Sequence, residues 1–349
     1  MTSSPSGTPD GIEDVLSARD RYNDGLTGAA RRSRALWFPP VLLLVLALVP
    51  LLQFTGQYNY LLHILLYAMM YAAMASSWNI LGGFTGYISL GHNVFFCIGG
   101  YVSGMILAFF GISSIITAPL AGLVAAIVGY GIGLVTLRMR GPTFIISSIA
   151  LLMVARILFD NWEFVGGSNG VTLPVTQLSA LWAKVPYYYA MLAIAAVTVW
   201  CCYRIRHSKF GLGLRAISQD EVKAESAGID TRLYKTLAFA VSAFFIGMVG
   251  AVWGEYLTYI RPNIFLVILV AANMVLMCIL GGKGTVAGPV VGAVVLIVFN
   301  EASLTFLGAS EINLLVTGVI MVLALKFFPA GIVGTLARKN RLPRILDWD

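Results

Sequence analysis

Ten long apolar runs dominate this sequence, and a chain built from them has few ways to fold. They lie at about 35–54, 58–81, 91–110, 115–137, 142–160, 186–203, 235–257, 264–281, 286–307 and 312–328. Each is close to the ~20 residues a helix needs to cross a hydrocarbon core. A transmembrane β-barrel would instead show short segments of alternating hydropathy. Charged residues make up only 11% of the 349, against about 25% in a soluble domain. A soluble enzyme, a disordered chain and a secreted disulfide scaffold are excluded. The expectation is an all-α polytopic membrane protein of about ten transmembrane helices.

The basic residues orient the bundle. With the N-terminus inside, the inner segments hold Arg31, Arg32, Arg34, Arg138, Arg140, Arg204, Arg206, Lys209, Arg215, Lys223, Arg232, Lys235, Lys283, Arg338, Lys339, Arg341 and Arg344. The outer segments hold only Lys184 and Arg261. Positive charge collects on the cytoplasmic side of membrane proteins, so both termini are expected in the cytoplasm. The same bias accounts for the net charge of +7 without nucleic acid as a partner. Residues 1–34, rich in Ser, Gly, Asp and Arg, read as a disordered cytoplasmic tail. Residues 35–335 read as the transmembrane domain with a cytoplasmic loop at 204–235, and 336–349 as a basic cytoplasmic tail. The arginines before residue 35 resemble the start of a signal peptide, but no small-x-small cleavage site follows, so an uncleaved first span is expected. Cys97, Cys201, Cys202 and Cys278 form no CxxC pair, which indicates neither a metal site nor a disulfide framework.

Glycines recur four residues apart, at Gly82/Gly86, Gly100/Gly104, Gly129/Gly133, Gly250/Gly254 and Gly288/Gly292. That spacing lets helix backbones approach closely, and it is equally what any membrane bundle needs for packing.

Three segments carry more specific information. Residues 79–101 mix glycines and polar side chains into apolar sequence. Such backbone is tolerated at membrane depth only inside protein or along a cavity, so a pathway wall or a re-entrant break is expected. Asn79, Ser89, His92 and Asn93, with Asn273 in a later span, are the candidate pathway residues. His92 reads either as a hydrogen-bonded structural residue or as a proton carrier. In the inner loop, Ser218-Gln-Asp-Glu221 matches a capping box and Gly228-Ile229 a left-handed C-cap. Together they predict one charged helix over about 219–227, suited to a cytosolic partner or serving as a solvated connector. Residues Gly281–Pro289 look superficially like a phosphate loop. A P-loop needs Gly six positions before the Lys and Ser or Thr directly after it; here those positions are Met277 and Gly284, so no nucleotide site is expected.

Together these segments resemble the permeases of branched-chain amino acid ATP-binding-cassette importers, the LivM type in particular. Residues 79–96 follow the family's glycine-rich stretch, Leu137-Arg-Met-Arg-Gly-Pro-Thr-Phe144 and Gly166-Gly-Ser-Asn-Gly170 follow later elements, and the Gly281–Gly292 segment and Phe328-Pro-Ala-Gly331 complete the series. The match runs through about 60–335. The inner loop resembles the family's coupling segment, with Gly211, Arg215, Asp220, Glu221, Ala224, Gly228 and Lys235 in place. The resemblance implies a half-transporter. A second, LivH-like permease completes the pore, and two cytosolic LivG- and LivF-like ATPases dock on the coupling helix. An extracytoplasmic solute-binding protein delivers substrate. ATP and Mg would be bound by the ATPases, with no cofactor in this chain, and the expected location is the bacterial cytoplasmic membrane. Arg215, Asp220, Glu221, Ala224 and Gly228 are the coupling residues so implied. The chain departs from the family at Tyr87, where Gln is usual, at Asn93, where Ala is frequent, and at Val270 and Ala272, where Ser-x-Glu is common. Urea, amide and aromatic-acid permeases share the scaffold, so substrate stays open at this stage.

An ion-coupled carrier is the competing class. It would need ionisable groups near the midplane, whereas Arg156, Asp160, Glu255 and Glu301 fall towards the outer ends of their spans. A structural or energy-coupling membrane subunit has no positive signal in the sequence. The segment Asp160–Lys184 with Glu255, Arg261 and Glu311 is expected to form the face that meets the binding protein.

Overall fold

The structure, a computed structural model, describes residues 38–51, 59–174, 182–308, 318–319, 326 and 331–338. Eight segments among them are long and apolar enough to cross a membrane. Helix α1 is Phe38–Leu48, opening with Pro39 and Pro40 in the first turn, where a missing N–H leaves no hydrogen bond unmade. It is followed by α2 (Asn59–Leu81), α3 (Asn93–Phe110), α4 (Ser114–Thr136), α5 (Pro142–Asn161) and α6 (Val185–Arg206). Then come the short α7 (Lys209–Gln219) and α8 (Glu221–Ser226), the long α9 (Thr231–Leu257), α10 (Pro262–Phe265), α11 (Ile268–Gly281), α12 (Ala287–Leu307) and α13 (Gly331–Arg338). Two short strands, β1 (Val171–Thr172) and β2 (Tyr259–Ile260), pair antiparallel.

The expected spans from 58–81 to 286–307 are all present as helix. The expected 264–281 span is broken, however: α10 stops at Phe265 and α11 begins at Ile268. The first expected span appears as the 11-residue α1, and the tenth, 312–328, lies largely outside the described residues, as do the two tails.

Helices α2 and α9 form the centre, their apolar windows 78% and 72% buried, whereas α4 and α5 are 33% and 28% buried. Ile116, Leu123, Ile127 and Val135 on α4, and Ile146, Met153 and Ile157 on α5, are exposed large apolar side chains. With no water to exclude, such side chains are at ease against lipid tails. Helix α9 packs most extensively on α4 and α3. Glycine makes this possible: a β-carbon at Gly99 would fall 2.0 Å from the Gly247 carbonyl oxygen, and one at Gly250 would fall 2.0 Å from that of Phe96. The α11–α12 hairpin closes the same way, with Gly292 against the Met277 carbonyl. Of the spaced pairs, Gly82/Gly86 is not a helix contact. Gly82 lies under the Trp78 indole, and Gly86 turns the chain at φ +80°.

Two other expectations need correction. The inner loop folds as two consecutive helices, α7 and α8, instead of one. Ser218 is inside α7, and the side chain that caps α8 is Asp220, whose Oδ1 accepts from Val222 N (3.0 Å) and Lys223 N (3.1 Å). Glu255 is not on the outer surface. It is 5% exposed and accepts from Ser113 Oγ, the Ser114 amide and Tyr187 Oη. It therefore places a carboxylate on the α4 N-terminus, where the helix dipole favours negative charge. Asp160, Glu163 and Arg261 remain at that end of the bundle; Glu311 lies outside the described residues.

Candidate functional site

Residues 82–92, between α2 and α3, are non-helical apart from turns, as the cluster of glycines predicts. Asn79, on the last turn of α2, is fully buried. Its Oδ1 accepts from Gly284 N (2.8 Å) and Cys278 Sγ (3.3 Å), and its Nδ2 donates to Thr285 O (2.8 Å). A β-carbon at Gly83 would overlap that amide at 1.7 Å, so the glycine leaves the room Asn79 uses. Arg206 Nη1 donates to the Gly284 carbonyl from the end of α6. The 282–286 loop is thus held from two helices.

Ser89 is buried; its Oγ accepts from Gly91 N (3.3 Å) and its carbonyl from Trp78 Nε1 (2.8 Å). Asn93 begins α3 and donates to Val267 O (2.7 Å), the carbonyl that opens α11 and also accepts from Val270 N (3.1 Å). The two breaks in the helical structure therefore meet through one side chain. His92, fully buried, lies edge-on to Phe95 and Phe239 at ring-centre distances of 6.0 and 5.1 Å. Neither of its ring nitrogens has a hydrogen-bond partner among the described residues. Asn273 lies apart from these four. It is half-buried in α11, where it meets the Tyr71 hydroxyl.

The expected coupling residues gather at one end of the bundle. On α7, Gly211, Gly213, Leu214 and Ile217 are buried, while Leu212 and Arg215 face outwards. Arg215 Nη2 reaches the Arg206 carbonyl (3.3 Å). On α8, Ala224 is buried and Val222, Lys223 and Glu225 are exposed. Asp220 also pairs with Lys223 (3.1 Å). Hydrogen bonds from the Lys223 amide and side chain hold its carboxyl below the ordinary value. Gly228 closes α8 at φ +86°. Its amide donates to Glu225 O (2.9 Å) and that of Ile229 to Ala224 O (3.1 Å). Those two bonds are the full Schellman pattern.

Glu221 does not face outwards with its neighbours. Its side chain, 13% exposed, turns inwards to Lys235, 3% exposed, at 2.6 Å. Lys235 Nζ also donates to Tyr87 Oη (3.0 Å) and to the Leu137 carbonyl that ends α4 (3.2 Å). An ammonium has three protons, and here each has an acceptor. The Tyr87 hydroxyl in turn donates to Glu221 Oε2, and Arg140 approaches Glu221 at 3.4 Å and Glu225 at 3.6 Å. Burial alone would raise the Glu221 carboxyl. The hydrogen bonds from Lys235 and Tyr87 and the charges of Lys235 and Arg140 outweigh it and hold the carboxyl below its ordinary value. Burial first, and then the bond to Glu221, push the Tyr87 hydroxyl up. This arrangement joins the glycine break, the end of α4 and the starts of α8 and α9.

No local pattern in the sequence marks Tyr87 or Arg140 as members of this cluster. The one available signal is that Tyr87 replaces the Gln usual at its position in the resembled family.

Comparison with known proteins adds an independent line. The sequence model of the family described as branched-chain amino acid transport system / permease component matches residues 60–325. The high-affinity branched-chain amino acid transport system permease protein LivM of Escherichia coli (strain K12) is 26% identical, over 76% of this chain and 68% of its own. LivH of the same organism is 27% identical over 76% of this chain and 91% of its own. BraD of Pseudomonas aeruginosa is 24% identical over the same shares. No solved structure matches the chain significantly.

Proposed function

This chain belongs to the family of branched-chain amino acid transport permease components, and on that footing we propose that it imports branched-chain or related hydrophobic amino acids. It is a multi-pass membrane permease subunit of an ATP-binding-cassette importer, not an enzyme. In the proposed assembly a second permease faces it and two cytosolic ATPases bind ATP and Mg. A solute-binding protein delivers substrate from outside the bacterial cytoplasmic membrane. That relatives of both the LivM and LivH kinds match the chain supports a pore of two related permeases.

The observation that carries the reading is the family match over 60–325, and the α7–α8 arm supports it. The arm is capped, charged and outward-facing, and it lies at the end where Arg140, Arg206, Arg215 and Lys235 collect. That end is the cytoplasmic one by the positive-inside bias. Leu212 and Val222, 63% and 60% exposed there, are apolar contacts for an ATPase. The substrate pathway is placed along the α11 face that carries Asn273. That half-buried amide meets the Tyr71 hydroxyl, and a solute or a facing permease can take its remaining hydrogen-bonding capacity, which hydrocarbon cannot. Asn79, Ser89 and Asn93 bond the backbone of the irregular segments, and His92 packs edge-on to Phe95 and Phe239.

Purification from cells that carry the whole system tests the proposal. The expected outcome is co-elution with the second permease and both ATPases, and uptake of leucine into proteoliposomes that requires ATP and the binding protein. Uptake by this chain alone, driven by an ion gradient, would replace the importer with a secondary carrier.

A further inference from the structure

A buried ion pair at the base of a bundle can be an anchor or a linkage. Three observations distinguish the two here. First, the ammonium of Lys235 is saturated by Glu221, Tyr87 and the Leu137 carbonyl, so movement of any one of these groups must break or drag a bond. Second, the elements so joined differ in rigidity. Helices α4 and α9 are long and mutually packed, whereas α8 has six residues and residues 82–92 are irregular, with glycines at 82, 83, 86 and 91. Third, Tyr87 is the direct polar contact of that irregular stretch with α8, and its ring packs edge-on to Phe144 (5.4 Å) at the start of α5. The outward side chains of α8 take no part in the cluster, apart from Glu225 through Arg140.

We propose that Tyr87, Lys235 and Glu221 form the transmission joint of this permease, through which displacement of the α7–α8 arm is passed to the glycine break between α2 and α3. The inference rests on the importer reading above and adds to it the positioning residues that connect arm to break. Glu221 is then a link facing the bundle and not a docking contact. Movement reaches the break because irregular loop positions absorb the backbone rotation that packed helices resist. From the break it passes to Asn93 and so to the α10–α11 interruption at Val267. A coupling carried by discrete contacts is typically worth about 5- to 150-fold in an equilibrium, and that scale sets the expected effect.

Two variants separate linkage from anchoring. Removing one charge of a buried pair leaves the other stranded, whereas replacing both with neutral groups of similar volume is often tolerated. The first variant is therefore the double change Glu221→Gln with Lys235→Met. The second is Tyr87→Phe, which keeps the ring against Phe144 and removes only the hydroxyl link. Each is purified with its ATPases and reconstituted in proteoliposomes with the binding protein and leucine, and leucine imported per ATP hydrolysed is measured. Both are expected to co-elute with the ATPases while import per ATP falls by about tenfold, on the scale given above. Wild-type import per ATP in both variants would overturn the joint, and so would failure of the double variant to assemble while Tyr87→Phe imports normally. If the wild-type complex itself shows no ATP-dependent import, the importer reading has failed, an outcome distinct from either.

Discussion

Asn79 shows how little a residue's type says about its role. An amide in a membrane span reads as a group waiting for solute, and the sequence offers nothing to distinguish that from an amide serving backbone. In the structure its oxygen and nitrogen are both occupied by the 282–286 loop. That loop lies about two hundred residues away in the chain, beyond the reach of any local pattern. Ser89 and Asn93 were recognisable as polar groups that need partners for the same reason, and they likewise turn to backbone. Replacement of Asn79 by Leu, close in volume, strands the Gly284 amide and the Thr285 carbonyl. Each buried unpaired group costs about 1–3 kcal/mol. The melting temperature of the detergent-purified complex is therefore expected to fall clearly for Asn79→Leu, and much less for Asn273→Leu at the half-buried site. Equal melting of wild type and Asn79→Leu would show that the loop is held without it.

The short helix α8 was half legible as an element. Its C-terminus is written locally: Gly228 followed by an apolar residue gives the left-handed cap, and both capping hydrogen bonds are present. Its N-terminus is ambiguous in the sequence because two capping residues stand close together. Ser218 and Asp220 both satisfy the residue preference for an N-cap, and only the helical geometry of α7, which runs through Ser218, decides for Asp220. By sequence Glu221 reads as the capping-box partner of Ser218 and as one of the coupling residues, and its bonds to Lys235 and Tyr87 are tertiary contacts with no local signature. The Gly228 cap gives a test of the element itself. No atom lies within 4 Å of a β-carbon built there, so the β-carbon of Gly228→Val has room and the cost expected is mainly conformational. A β-branched residue in the left-handed region costs about 1–2 kcal/mol, enough to fray a helix of six residues. Expression and membrane insertion are expected to match wild type, while retention of the ATPases during purification and leucine uptake both fall. Full retention and uptake in Gly228→Val would remove the α8 helix from the docking surface.

At the scale of the whole molecule the sequence was most informative, because span length and charge bias are properties of the chain rather than of its contacts. The expected spans between 58 and 307 recur as helices. The interruption at Leu266–Val267 could not be foreseen, since nothing in that apolar run breaks a helix; Asn93, from α3, bonds the Val267 carbonyl that opens α11. The charge bias also has a spatial counterpart. Arg140, Arg206, Arg215 and Lys235 meet at the end that carries α7 and α8, whereas Glu163, Arg261 and the paired strands lie at the other end. Sidedness can therefore be measured with two positions. Glu163 is exposed, and Lys223 has a side chain 85% exposed, while Cys97, Cys202 and Cys278 are buried and Cys201 is only partly accessible. In a background with Cys201 replaced by Ser, a membrane-impermeant maleimide applied to intact cells should label Glu163→Cys and not Lys223→Cys. Lys223→Cys should become reactive once the membrane is opened and the ATPases are stripped. The warrant is the strong cytoplasmic preference of Lys and Arg in short loops, which the inner segments show and the outer ones do not. Labelling of Lys223→Cys in intact cells would invert the bundle, place α8 outside and remove it from the reach of any cytosolic ATPase.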